Sequence, residues 1–143
     1  AIRDLSRLLA PRDQIGIVSF NDHARHILPL TPVYALPRVL DPALARVEAE
    51  FTTNMAAGVA SGLDLLTQRP RYFARRLVLL SDGQPTHEEK MLDPHLERAA
   101  REAVRIDVIA FGLGAQVCKT LLKRIALRTG GTYQHSADLY ELT

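Results

Sequence analysis

Two side chains in this sequence offer hard oxygen donors at places where a fold could bring them together. Thr53 stands in "FTTNMAAGVASGLDLL", just ahead of a helical apolar pattern, and Asp82 follows the apolar run of "RRLVLLSDGQPT". A hydroxyl and a carboxylate suit Mg²⁺ or Mn²⁺ better than zinc or copper. Gly83 lets the backbone turn after the acid, and Pro85 stiffens the loop. On spacing alone the pair is unspecific, because a helix-capping Thr and a strand-ending Asp occur in many α/β proteins.

The other reactive residues assemble nothing comparable. His23, His26, His87, His95 and His135 are scattered, and His87-Glu88-Glu89 lacks the second histidine of the HExxH zinc pattern. Ser81 precedes the acid without the GxSxG surroundings of a nucleophile elbow. "GLGAQ" is half of a dinucleotide fingerprint, with Val117 and Cys118 where the third glycine belongs, and no GxxxxGK exists to cradle phosphates. Cys118 is the sole cysteine, which excludes an internal disulfide and a cysteine cluster for metal within one chain, and it reads as a packed thiol. The alternative to a binding role is a small α/β hydrolase or phosphotransferase using Asp82 with a metal. It would need a second acid or base converging on Asp82, which the sequence does not single out.

The elements that must position Thr53 and Asp82 follow from apolar periodicity. Ile2, Leu5, Leu8 and Leu9 share a helical face that ends near Ala10, before Pro11. Gln14 to Phe20 reads as a strand, and Asn21-Asp22 turns into "ARHILPL", an antiparallel partner at the sheet edge that Pro29 closes. Leu40, Leu44 and Val47 recur at helical spacing, in a helix expected to begin after Asp41 with Pro42 in its first turn. Thr52, Thr53 and Asn54 are natural caps for a helix carrying Met55, Val59, Leu63 and Leu66. Leu77 to Ser81 is a buried strand, and Leu96, Ala99, Ala100, Ala103 and Val104 mark the next helix. "IDVIAFGLG" is a strand entering a glycine loop, Leu121, Leu122 and Ile125 carry a helix that Gly130 and Gly131 stop, and "TYQH" is a short last strand.

Strands alternating with helices imply a doubly wound α/β fold, with a mostly parallel central sheet, helices on both faces and one antiparallel edge strand. Ligands of such sheets sit beyond the carboxyl ends of the strands. Asn21-Asp22, Asp82, Gly112 and Gly114 all follow strands, so that rim is where they belong.

At 143 residues the chain fits one domain, and its net charge of +2 is too small to argue for nucleic acid. No segment approaches the ~18 consecutive apolar residues of a membrane span. Arg69, Arg71, Arg75 and Arg76 read as a solvated turn before a strand in preference to an anion patch. The lone cysteine and the bias to Arg over Lys fit an intracellular bacterial setting slightly better than an extracytoplasmic one.

"DQIGIVSFNDHARHILPLTP", "FTTNMAAGVASGLDLL", "RRLVLLSDGQPT", "IDVIAFGLG" and "LLKRIALRTGGTYQHSADLYEL", in that order, resemble the von Willebrand factor type A domain, a relative of the integrin inserted domain. The resemblance spans essentially the whole chain. It implies a non-enzymatic protein-binding domain with a metal-ion-dependent adhesion site, in which Thr53 matches the family's loop threonine and Asp82 its second acid. Asn54, Gly83 and Gln84 would form the partner-binding rim, and a Glu or Asp of the partner would complete the coordination of Mg²⁺ or Mn²⁺. Family members of this kind also work beside ATPase complexes, so an ATPase subunit is an implied partner. The sequence departs from the family at the DxSxS segment of the first, central strand. "DLS", Asp4 to Ser6, has Leu8 where the second serine belongs and lies within a helical pattern. In the family register the chain therefore starts one strand late, leaving two neighbouring strands with open edges unless they pair with each other or with another chain.

Overall fold

The computed structural model describes residues 6–47, 54–70, 74–81, 89–111 and 119–136. Its first unit is a hairpin of β1 (Gln14–Phe20) and β2 (Ala24–Pro32), antiparallel, with Phe20 opposite Ala24 and Gln14 opposite Pro32. The turn is locked by Asn21, whose N–H donates to the His23 carbonyl at 3.0 Å while its Oδ1 accepts from the His23 N–H at 3.1 Å. Asparagine supplies this side-chain mimic of a backbone turn readily. Pro29 does not close β2 as expected. The strand runs on to Pro32, and the register slips between Ile15 and Val18, opposite the proline, which lacks the N–H a regular ladder requires.

A single 3₁₀ turn, Val33–Ala35, leads into helix α1 (Leu36–Leu44). The helix starts at Leu36, ahead of the expected position after Asp41. Pro37, not Pro42, takes the first-turn place where a missing N–H costs nothing, and Pro42 falls inside the helix close to its end. Leu36, Leu40 and Ala43 are its buried face; Leu36 and Ala43 cluster with Ile27 and Leu28 of β2, while Val47 beyond the helix is exposed.

The second unit is parallel: β3 (Arg75–Ser81), β4 (Val104–Phe111) and β5 (Tyr133–Ser136), in the order β3-β4-β5. The crossovers are helices α3 (Asp93–Arg101) and α4 (Lys119–Thr129). Helix α2 (Met55–Leu66) joins them, and Val59, Leu63, Leu96, Ile106, Leu122 and Ile125 form one contiguous core between the helices and the sheet. Each such fully buried aliphatic side chain contributes about 1.5–3 kcal/mol. Helix α3 ends before its expected boundary. Ala103 adopts φ 55°, a left-handed C-terminal stop, so Val104 opens β4 and does not close the helix. Gly130 does the same for α4 at φ 72°, after which the Gly131 N–H donates to Ala126 O at 2.8 Å.

Two of the four arginines expected in a solvated turn are strand residues. Arg75 is 8% exposed and donates to the carbonyls of Arg69 and Glu102, placing a cation at the carboxyl end of α3 where free carbonyls and the helix dipole favour it. Arg76 pairs with the buried Asp107 of β4, which also accepts from the N–H (2.8 Å) and hydroxyl (2.9 Å) of Thr132 at the entrance to β5. Thr129 adds a link from α4 to β4, its Oγ1 accepting from the Ile106 N–H at 3.0 Å.

The α/β class read from the sequence is the one that forms, but among the described residues the sheet is divided. β1 and β3 are not hydrogen-bonded to one another, and helix α2 packs on both.

Candidate functional site

Close contacts along α2 orient the two sheets. A Cβ added at Gly58, near the start of the helix, would lie 2.6 Å from the Phe20 ring at the end of β1; one at Gly62 would lie 2.7 Å from Leu77 early in β3. Leu65, near the end of α2, lies against Gly16 early in β1. With Arg75 at the start of β3 donating to the carbonyl of Arg69 just past the helix, α2 runs antiparallel to both strands. Its N-terminus stands at the rim where β1 ends in Phe20, and β3, running the same way as β1, ends in Ser81 on that side. The absent side chains at positions 58 and 62 are what let the helix approach both strands closely.

Asn54 holds this rim together. Its Oδ1 accepts from the Ala57 N–H at 3.0 Å and caps α2, its N–H donates to Asn21 O at 2.5 Å, and its Nδ2 reaches Asp22 O at 3.4 Å. The β1–β2 turn is thus tied to the entrance of α2 by one residue, through its main chain and its side chain. Asp22 beside it keeps a half-exposed carboxylate, 3.6 Å from His23 Nε2. The Asn21-Asp22 turn and the Asn54 cap of α2 thus lie at one rim. Of the residues named for the site, Asn54 is described. Thr53, Asp82, Gly83 and Gln84 lie outside the described residues, as do Gly112, Gly114 and Cys118.

The described donors do not by themselves fit a metal. No group of three His, Cys, Asp or Glu side chains is placed to hold an ion among the described residues, and the Asn54 oxygen is engaged as a cap. Thr53 and Asp82 together would supply two of the six or so oxygens that Mg²⁺ prefers.

A family model for the von Willebrand factor type A domain matches residues 1–135. The chain belongs to this family. Among solved structures of von Willebrand factor type A and related folds, it is similar to the von Willebrand factor type A protein of Catenulispora acidiphila (19% identity, TM-score 0.86, covering 99% of this chain). The chain spans about a third of that protein's length, 34%. It is also similar to the conserved hypothetical protein BatB of Bacteroides thetaiotaomicron (15% identity, TM-score 0.72, 98% of this chain and 80% of that one). A third is proximal thread matrix protein 1 of the mussel byssus, in a structure with a zinc-occupied MIDAS motif (19% identity, TM-score 0.74, 99% of this chain and 36% of that one). These likenesses establish the Rossmann-like fold. No curated protein sequence matches the chain. The von Willebrand factor type A domain is generally a protein-interaction module, and no helix among the described residues is long and apolar enough to cross a membrane.

The sequence reading missed two features that shape the molecule. One is Asp107, hidden in "IDVIAF" as a single polar residue within an apolar run; the other is the pair Gly58 and Gly62, whose i, i+4 spacing on the helix was the available signal.

Proposed function

We propose that this domain binds a protein partner through the rim where α2 begins and β1 and β3 end. The observation that supports this most directly is the convergence of Asn54, the Asn21-Asp22 turn and Ser81 on one side of the sheet in a chain of this family. Thr53 precedes Asn54 and Asp82 follows Ser81, so each lies one peptide, about 3.8 Å between Cα atoms, from a described residue. In this reading Thr53 is a direct ligand of Mg²⁺ or Mn²⁺, Asp82 a direct or water-bridged one, and Asn54, Gly83 and Gln84 shape the surface around it. The bound ion would supply an open coordination position for a Glu or Asp of the partner, which could be a subunit of an ATPase complex. The remaining oxygens would come from a strand bearing DxSxS, seated between the open edges of β1 and β3. No specific observation favours a hydrolase or phosphotransferase built on Asp82.

The test is Mn²⁺ titration, read by loss of the free-ion electron paramagnetic resonance signal. It is run on the chain alone and with an added strand peptide of about ten residues carrying DxSxS, long enough to cross a sheet. Weak binding that tightens with the peptide and disappears in Asp82→Asn and Thr53→Ala is expected. Unchanged binding in both variants would place the ion elsewhere.

A further inference from the structure

A second surface lies on the far side of the molecule from the seam between the two sheets. Helix α4 and strand β5 enclose an open groove of about 590 Å³ lined by Lys119, Lys123, Ala126, Leu127, Tyr133 and His135. Lys119, Lys123 and Leu127 are spaced i, i+4, i+8, so they form one stripe along the helix. The stripe carries two cations of like sign one turn apart, an arrangement that destabilises a helix unless an anion sits between them. Elsewhere on α4 the cations are matched: Arg124 and Arg128 both meet Asp93 at 3.1 Å. Among the described residues, neither Lys119 nor Lys123 has a carboxylate partner, and no acid lines the groove. Leu127 adds an apolar contact that is 78% exposed.

The floor of the groove is the outer edge of the sheet. β5 is the last strand in the order, and among the described residues no strand pairs with its outer side. The Val108 N–H donates to Thr132 O at 2.8 Å, so the backbone of Thr132 and, by alternation, Gln134 faces β4. The N–H and carbonyl of Tyr133 then point outward. Its side chain shares a face with that of Val108, its register partner, so its ring lies on the α4 side, with the Lys123 ammonium 5.6 Å from the ring centroid. Ladder groups at an open edge, flanked by cations and an apolar stop, match an extended segment whose α4-facing side chains, every second residue, run acidic, acidic, aliphatic.

We propose that the α4–β5 groove docks an acidic, extended peptide segment of a protein partner as an added strand beside β5, with its carboxylates on Lys119 and Lys123 and an aliphatic side chain against Leu127. This surface is separate from the rim and requires no metal. Charge complementarity selects the sign of the ligand, and the strand edge selects its shape.

The test uses the full 143-residue chain and a fluorescein-labelled Glu-Val peptide, Thr-Glu-Thr-Glu-Thr-Val-Thr-Thr, whose two Glu and one Val share one face, with a Lys-Val peptide carrying Lys in place of both Glu as control. Fluorescence anisotropy should show binding of the Glu-Val peptide alone, insensitive to EDTA and weakened by raising salt from 50 to about 500 mM as the charges are screened. Lys119→Glu combined with Lys123→Glu should weaken it at least tenfold, and the gentler Lys119→Gln with Lys123→Gln a few-fold. Both pairs of substitutions are on an exposed helix face, and circular dichroism checks that each variant is folded. Amide hydrogen exchange should show new protection at the Tyr133 N–H when the peptide is bound. Equal binding of the two peptides, undiminished binding by the folded charge-reversed variant, or protection that arises on β2 and not on β5 would overturn the proposal. So would capture of the chain by anionic phosphatidylserine vesicles with no binding of the peptide.

Discussion

Asp107 offers the sharpest test of how the parallel sheet is held together. It is 5% exposed, yet it carries a charge, and it accepts from the Thr132 N–H, the Thr132 hydroxyl and Arg76. Asp107→Ala would remove a charged acceptor from two partly buried Thr132 donors, at about 1.5 kcal/mol each at the low end of the range for hydrogen bonds to ionised groups. Arg76 is 58% exposed, so its share is screened by solvent and adds less than about 1 kcal/mol. The sum, about 3–4 kcal/mol, corresponds to a fall in Tm of roughly 10 °C for a domain of this size.

The same residue sets a pH dependence. Burial, the largest single influence, pushes the Asp107 carboxyl up, but the hydrogen bonds from Arg76 and from the N–H and hydroxyl of Thr132, with the Arg76 charge, together hold it below its ordinary value of 3.8. A carboxyl whose folded pKa is depressed contributes stability that is complete above its unfolded pKa. That contribution is lost as pH falls below 3.8 through the lower folded value. Urea unfolding of wild type and Asp107→Asn between pH 6 and pH 3 measures this directly. The asparagine keeps an acceptor for Thr132 but cannot titrate, so the gap between the two proteins should narrow as pH drops below 4. Parallel stability curves down to pH 3, or an Asp107→Ala variant within about 1 kcal/mol of wild type at pH 7, would refute the assignment.

Two further outcomes test the local backbone argument. Gly130→Ala should cost about 1 kcal/mol, because φ 72° is strained for alanine while the space around it is open. The neighbouring Gly131→Ala should be far worse, at least about 3 kcal/mol, since its Cβ would fall onto the Ile106 carbonyl; thermal melts of the two single variants decide the ranking. Asn54→Ala should lose about 1 kcal/mol of stability from the missing cap, and exchange at the Ala57 amide should accelerate, as hydrogen exchange by NMR would report.

Much of this architecture is legible in the residues because local signals and tertiary demands coincide. The strand Gln14–Phe20, the cap at Asn54 and the stop at Gly130 each follow from side-chain chemistry that acts within a few residues. Legibility fails where a distant partner decides. Pro29 looks like a strand end, yet an edge strand tolerates it beside a register slip. Pro42 looks like a helix start, but Pro37 serves that place once Leu36 is buried against β2. Arg75 looks solvated until Glu102 takes up its charge, and Arg76, though still 58% exposed, is drawn to Asp107; both partners are distant in sequence. At the rim, Asn54 and Asn21-Asp22 were readable because they flank elements directly. The tie between them depends on α2 lying across two strands, which periodicity alone does not encode.

The division of the sheet has a mechanical consequence. The β1–β2 hairpin and α1 hold a small apolar cluster of their own around Ile27, Leu28, Leu36 and Ala43, apart from the large one beneath β3, β4 and β5. Among the described residues, what joins the two halves is the packing of α2 and the hydrogen bonds of Asn54 to the β1–β2 turn, with no strand-to-strand ladder across the seam. Side-chain contact of that kind yields by sliding, whereas a ladder must break bond by bond. The hairpin half is therefore expected to open before the three parallel strands as denaturant is raised, which native-state hydrogen exchange of the two sets of amides would read.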